Sequence, residues 1–230
     1  MKVEIWSDVV CPWCYIGKRR FEAALDRFAH RSDVEVVWRS FELNPSAPAV
    51  SEGDLIGRLA TKYGVNREQA EAMNDRVTRI ADDEDLGFRL DIARPGNTFD
   101  AHRLIHLAAD RGVQDAVKEQ LLAAYQCKGE PIGEHDTLVR AAVAGGLDEA
   151  EVREVLAGEQ YVDEVRQDER EAEQIGVGGV PFFVFDRRYA VSGAQSPDVL
   201  LDALEKAWAE RAPFEVLTGG DACGPDGCEI

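Results

Sequence analysis

Strand-forming sequence in this chain falls into two short stretches, held apart by some 110–125 residues of helical pattern. Lys2 to Ser7 is β-rich and apolar at Val3, Ile5 and Trp6, and Val34 to Trp38 reads Val-Glu-Val-Val-Trp. Between them Ile16, Phe21, Ala24, Leu25 and Phe28 recur at helical spacing. Strand, helix, strand within forty residues predicts a parallel pair joined by a right-handed crossover. From Ser51 to about Gly176 the pattern is helical, punctuated by Gly64, Gly87, Gly112, Gly129 and Gly145-Gly146. Capping boxes are expected at Asn66/Gln69 and Asp148/Glu151, and the lack of a repeat argues against a solenoid. Strand character returns at Phe182 to Phe185, turns at Asp186-Arg187-Arg188 and resumes at Tyr189 to Val191, which predicts a hairpin. Ser196 as cap and Pro197 at the first position start a last helix to about Ala209. The two strand-bearing ends need each other to bury a sheet. The expectation is one α/β domain formed by 1–48 plus 160–209, an all-helical insertion over 49–159, and a tail over 210–230.

At 230 residues, 45% hydrophobic and 30% charged, the chain has material for a core without staples. Its 26 Lys+Arg against 44 Asp+Glu give a net charge of −18, with no local basic cluster. Such a surface repels phosphate backbones and anionic bilayers, so neither nucleic acid nor membrane is an expected partner. Glu4 and Asp8 stand where a signal peptide needs apolar residues, and no stretch approaches the ~20 apolar residues of a span. A cytoplasmic location follows as an expectation. Its five cysteines (Cys11, Cys14, Cys127, Cys223, Cys228) are then catalytic or metal-binding rather than structural.

Cys11-Pro12-Trp13-Cys14 follows a predicted strand and opens a predicted helix. Unpaired N–H groups and the dipole at a helix N-terminus favour thiolate over thiol. Cys11, at the helix start, is the exposed thiol, and its pKa is expected to be depressed. Cys14, one turn in, stands where it can attack a mixed disulfide. That context favours redox chemistry over half a zinc site or two buried small residues, and no metal site is assigned.

The order strand, CPWC helix, strand, helical insertion and Val180-Pro181 before a hairpin resembles the DsbA-like branch of the thioredoxin superfamily. Ser7 to Gly17, Arg39 to Pro45, Asn97-Thr98 with Ala101 to Ile105, Gly176 to Phe183 and Val191 to Gln195 are similar to the FrnE-type proteins within it. The resemblance covers residues 2 to about 209. It implies a thioredoxin fold with a large helical insertion, and a thiol–disulfide oxidoreductase that reduces or isomerises protein disulfides. Cys11 would attack and Cys14 would resolve. Val180-Pro181 would be a cis-proline loop opposite them, binding substrate with Pro12 and Trp13. No tightly bound cofactor is implied; glutathione is a candidate redox partner, and a disulfide-bearing protein or small thiol the substrate. Pro-Trp between the cysteines leaves the redox direction open. The superfamily also holds glutathione-linked transferases and isomerases of small aromatic substrates, with Ser in place of the first cysteine. That is the alternative, and a zinc-binding or holdase-type protein is a third reading.

His102 and His106 share a helical face, read as packed or hydrogen-bonded rather than as metal ligands. Cys127, after Leu121, Leu122 and Tyr125, reads as a buried inert thiol. Asp82 to Asp85 and the stretch from Glu164 to Glu173 read as solvated faces. In the tail, Cys223-Gly-Pro-Asp-Gly-Cys228 carries a turn signal that sets the cysteines at disulfide distance. Some FrnE-type proteins are similar there. Two thiols without a partner, or a second redox pair exchanging with Cys11–Cys14, are the two readings.

Overall fold

The computed structural model describes residues 1–51 and 53–211, so the Cys223/Cys228 pair lies outside the described residues. Four strands form one mixed sheet: β1 (Lys2–Ser7), β2 (Glu35–Ser40), β3 (Phe182–Phe185) and β4 (Tyr189–Ser192), in the order β2-β1-β3-β4. β1 and β2 are parallel, and β3 is antiparallel to both β1 and β4. Strand β2 continues past Trp38 because its pairing with β1 runs on to Ser7 opposite Ser40. The hairpin turn holds Asp186 and Arg187 at positive φ (47° and 54°), the backbone of the tight turn that matches strand twist. Asp186 keeps its place by accepting the Lys2 N–H at 2.7 Å. Arg187 is tied to Glu4 and Glu171.

Alternation along β1 sends side chains to two covered faces. Val3 and Ile5, with Phe183 and Phe185 of β3, join the core of α1 (Pro12–Arg27) and α9 (Pro197–Ala209) through Phe21, Ala24, Leu200 and Leu204. Trp6 and Val184 face the other way, onto Ala172 of α8 (Val162–Gln174). On that side the solvated face expected from Glu164 to Glu173 is corrected at Asp168, which is 1% exposed. Its carboxylate accepts the Ser40 N–H at 2.8 Å and Arg39 at 3.0 Å, and its carbonyl accepts the Trp6 indole N–H at 3.0 Å. One aspartate thus fastens α8 to β1 and β2.

The remaining helices are α2 (Leu55–Tyr63), α3 (Arg67–Asp82), α4 (Phe99–Asp110), α5 (Gln114–Gln126), α6 (His135–Ala144) and α7 (Glu149–Ala157). Asn66 and Gln69 form the reciprocal capping box. Asp148 caps α7 from one side only, because Glu151 is drawn to Arg111 at 2.6 Å. The helical run is broken between α3 and α4, where residues 83–98 form no helix. Leu86, Phe88 and Leu90 are buried there at a period of two rather than 3.6, and Pro95-Gly96 follows. Asp82, Asp83 and Asp85 of the acidic run are exposed, while half-buried Glu84 is bound to Arg20 of α1 at 2.5 Å. Among the described residues no helix is long and apolar enough to cross a membrane.

Candidate active site

Cys11 is the N-cap of α1, with extended backbone (φ −86°, ψ 115°), and Pro12 takes the first helical position where its missing N–H has no intrahelical partner. The expectation that Cys11 is exposed is corrected: it is 5% exposed, nearly as covered as the fully buried Cys14, while Trp13 projects outward at 37% exposure. The two thiols are close but not bonded to each other. Across from them the Val180–Pro181 peptide is cis, and Cys11 Sγ lies 3.6 Å from the Val180 carbonyl oxygen. Pro181 is buried against α1 at Gly17, where a Cβ would lie 2.7 Å from Pro181 Cγ. Its carbonyl accepts the Gly193 N–H at 2.8 Å, which ties the loop to the end of β4. The structure therefore brings Cys11, Cys14, Val180 and Pro181 together.

Beneath the pair lies a buried polar cluster that reading the sequence did not single out. Lys118 of α5 has no exposed surface, yet its Nζ donates to the Ser7 carbonyl at 3.2 Å and stands 5.5 Å from the Trp38 ring centroid. Burial brings its pKa down to about 8, against the opposing pull of charge at Cys14, Asp8 and Cys11. Its signal in the sequence is a lysine at i of the apolar stripe Leu121, Leu122, Tyr125, at i+3, i+4 and i+7. Asp8, 0% exposed, accepts the Leu43 N–H at 2.8 Å. Burial raises its carboxyl, but His102, the Leu43 N–H and Lys118 bring it net below the usual range. Gln126 donates to the Val9 carbonyl at 3.1 Å and closes the floor.

The thiols titrate as a pair. Burial raises Cys14, and the Cys11 S–H, Lys118, the Ser7 hydroxyl and the Asp8 main chain outweigh it, so Cys14 is net lowered. Cys11 is raised well above an ordinary thiol, first by the hydrogen bond it gives Cys14, then by burial and the nearby charges. The expected depression of Cys11 is thereby corrected. In this arrangement the single charge of the pair rests on the deeper sulfur, which faces Lys118. Passing one proton from Cys11 to Cys14 moves that charge to the sulfur nearer solvent.

The two histidines have separate partners. His106 Nε2 lies 3.1 Å from both Ser40 Oγ and Asp168 Oδ2, a structural contact. His102 Nε2 stands 3.4 Å from Asp8 Oδ1 without forming a hydrogen bond. Cys127 is half-buried at the C-cap of α5 rather than buried, and burial still raises its thiol. Among the described residues no cluster of His, Cys, Asp and Glu is arranged to hold a metal ion.

The probable DsbA oxidoreductase of Streptomyces coelicolor is 49% identical, with 100% of this chain and 99% of that one aligned at a TM-score of 0.92. The uncharacterized protein YwbO of Bacillus subtilis is 28% identical over 207 residues, 88% of this chain and 94% of YwbO. The cytosolic disulfide reductase DsbM of Pseudomonas aeruginosa, solved with GSH, has the same fold at 18% identity, with 91% and 100% of the chains aligned at a TM-score of 0.63. The DSBA-like thioredoxin domain model matches residues 2–205, a span that takes in the sheet, the CPWC helix and the cis-proline loop. By that match the chain belongs to the DSBA-like thioredoxin domain family.

Proposed function

We propose that this protein is a thiol–disulfide oxidoreductase that reduces or isomerises protein disulfides, with Cys11 as the attacking thiol and Cys14 as the resolving thiol. The contact that carries this reading is Cys11 Sγ at 3.6 Å from the Val180 carbonyl beside cis-Pro181. That places the more accessible sulfur against a main-chain edge on which an extended substrate segment can add as a strand. Pro12 and Trp13 line the approach. The Cys11 thiolate attacks a substrate disulfide, one substrate sulfur departs with the electron pair, and a mixed disulfide forms. Cys14 then attacks Cys11, releasing the second substrate sulfur and leaving a Cys11–Cys14 disulfide. Two molecules of glutathione regenerate the dithiol and leave as glutathione disulfide. The glutathione seen with the cytosolic Pseudomonas reductase supports that choice of partner and a cytoplasmic setting. The presence of both cysteines favours this chemistry over the glutathione-linked transferase alternative.

The test is insulin-disulfide reduction with dithiothreitol or glutathione. Wild type accelerates it, Cys11→Ser abolishes the acceleration, and Cys14→Ser accumulates mixed disulfides visible by mass spectrometry. Reversed phenotypes, or full activity in either variant, would sink the assignment. Cys223 and Cys228 enter the proposal as a second pair that exchanges with the first. The Cys223→Ser/Cys228→Ser double variant is expected to slow steady-state turnover while a single Cys11 attack proceeds unchanged; undiminished turnover removes the pair from the mechanism.

A further inference from the structure

Cys11 is presented by a turn whose central residues carry no turn chemistry. The Cys11 N–H donates to the Asp8 carbonyl at 3.3 Å, so Val9 and Val10 occupy the centre, where Gly, Pro, Asn, Asp or Ser ordinarily set the bend. Such a bend must be held from outside. We propose that Gln126 is a positioning residue for the redox pair, fixing the Val9–Val10 peptide so that the Cys11 sulfur stays within reach of Cys14. The inference rests on the resolving role assigned to Cys14 above.

Each of the three residues leading into Val10 is gripped by one distant group. Lys118 Nζ donates to the Ser7 carbonyl at 3.2 Å, the Leu43 N–H to the Asp8 carboxylate at 2.8 Å, and Gln126 Nε2 to the Val9 carbonyl at 3.1 Å. Only the last acts at the centre of the turn, two residues from Cys11. Gln126 is itself anchored. It ends α5, where a carbonyl lacks an intrahelical partner, and its carbonyl accepts the Arg89 N–H at 2.7 Å. The side chain therefore reaches Val9 from a fixed backbone.

The amide is a poor choice for stability alone. Gln126 is 0% exposed, and its Oε1 has no hydrogen-bond partner among the described residues, a costly state for a buried acceptor. Gln126→Met would remove that unpaired acceptor while unpairing the Val9 carbonyl, so the two changes oppose each other in stability. What the amide supplies beyond that balance is direction. In a planar trans peptide, aiming the Val9 carbonyl at α5 sends the Val10 N–H the opposite way and sets the path of the chain into Cys11. Cys11 then hands the chain to α1 as its N-cap, where Cys14 is fully buried and held. With the peptide free to rotate, Cys11 shifts against a Cys14 that cannot follow. The step affected is the attack of the Cys14 thiolate on Cys11. The Cys11–Cys14 bond forms, the Cys11–substrate bond breaks, and its electron pair leaves on the substrate sulfur. Such a displacement is sensitive to orientation. Gln126 exchanges no proton or electron and does not touch substrate.

The full chain with Cys127, Cys223 and Cys228 replaced by serine keeps only the redox pair and is the reference. Stopped-flow reaction of its reduced form with 5,5′-dithiobis(2-nitrobenzoate) separates the steps: attack by Cys11 releases one thionitrobenzoate, and resolution by Cys14 releases a second. In Gln126→Met the second phase is expected to slow by at least about tenfold. The first phase, which needs only a reachable Cys11, should stay within about twofold and reports a folded chain. In a glutathione redox buffer the same variant should shift the Cys11–Cys14 couple severalfold toward the dithiol, because the sulfurs are held less well for closure. Gln126→Glu keeps the length and, when protonated, an O–H that donates to Val9, so its second-phase rate relative to the reference should recover as the pH falls. A second phase at the reference rate in Gln126→Met overturns the positioning role and leaves the Cys11–Cys14 assignment standing. Should that variant lose the first phase through misfolding, Gln126→Glu decides: a relative rate that does not change with pH overturns the role. A reference protein that releases only one thionitrobenzoate overturns the Cys14 assignment and the positioning role with it.

Discussion

Lys118 is a full positive charge carried into the interior on a helix that is otherwise apolar on that face. A lysine without exposed surface is costly unless something nearby keeps a negative charge. Here the redox pair and Asp8 do so. The same attraction works in reverse on the sulfurs: Lys118 is one of the groups that bring Cys14 below an ordinary thiol against its burial. Removing the ammonium removes that stabilisation of the anion, so the pH midpoint for the pair's first ionisation must rise. For Lys118→Met the rise is expected to be about one unit or more, the size usual for one close opposite charge. Ultraviolet thiolate absorbance against pH reads it directly, and alkylation by iodoacetamide at neutral pH should slow in parallel. An unchanged midpoint would mean that helix-terminal amides and hydrogen bonds alone hold the charge.

At the scale of elements, the site is a meeting of α1 with the cis-proline loop, and Gly17 sets how close they come. An alanine Cβ there would stand 2.7 Å from Pro181 Cγ, well inside contact distance, with Ala194 behind. The proline loop must therefore retreat from α1 and carry Val180 away from Cys11. Gly17→Ala is expected to lower insulin-reduction turnover by about tenfold, since small misplacements at a reacting centre cost heavily. The overpacking itself should cost about 1–2 kcal/mol, a Tm drop of about 2–8 °C at this chain length. Turnover at wild-type level would show that the loop position does not matter. The elements themselves were legible because their signals are local: β1, the CPWC helix, the hairpin and the Ser196-Pro197 start each rest on neighbouring residues. The place of Cys11 and Cys14 at the start of α1 was legible for the same reason, whereas the Val180-Pro181 loop was an expectation of the family resemblance and not of its neighbouring residues. Lys118 was not legible, because its place beneath the pair arises only where α5 is laid against the loop before α1. Asp168 was hidden likewise, since one aspartate among many acids looks solvated until β2 presents the Ser40 N–H to it. The charge distribution of the thiol pair was misread because helix position alone favours Cys11, whereas Lys118 arrives from a distant segment on the Cys14 side.

For the molecule as a whole, the field is set by a net charge of −18, and it acts on every substrate before contact. Two cations of the described residues on the helices around the pair are already committed. Lys118 is buried with Asp8 and the thiols, and Arg20 is bound to Glu84 and the Ala194 carbonyl. Long-range attraction therefore favours cationic disulfides and disfavours anionic ones, and salt should damp both effects because the screening length at 0.1 M is about 10 Å. The single-turnover rate of Cys11 with cystamine, a dication, is expected to fall severalfold between about 0.02 and 0.5 M ionic strength. With glutathione disulfide, an anion, it should rise over the same range. Stopped-flow rates at fixed pH measure both slopes. A rate with glutathione disulfide that falls as salt is added would reveal a local cationic patch strong enough to override the global field, and it would identify that anionic disulfide as a ligand selected against the charge of the whole protein.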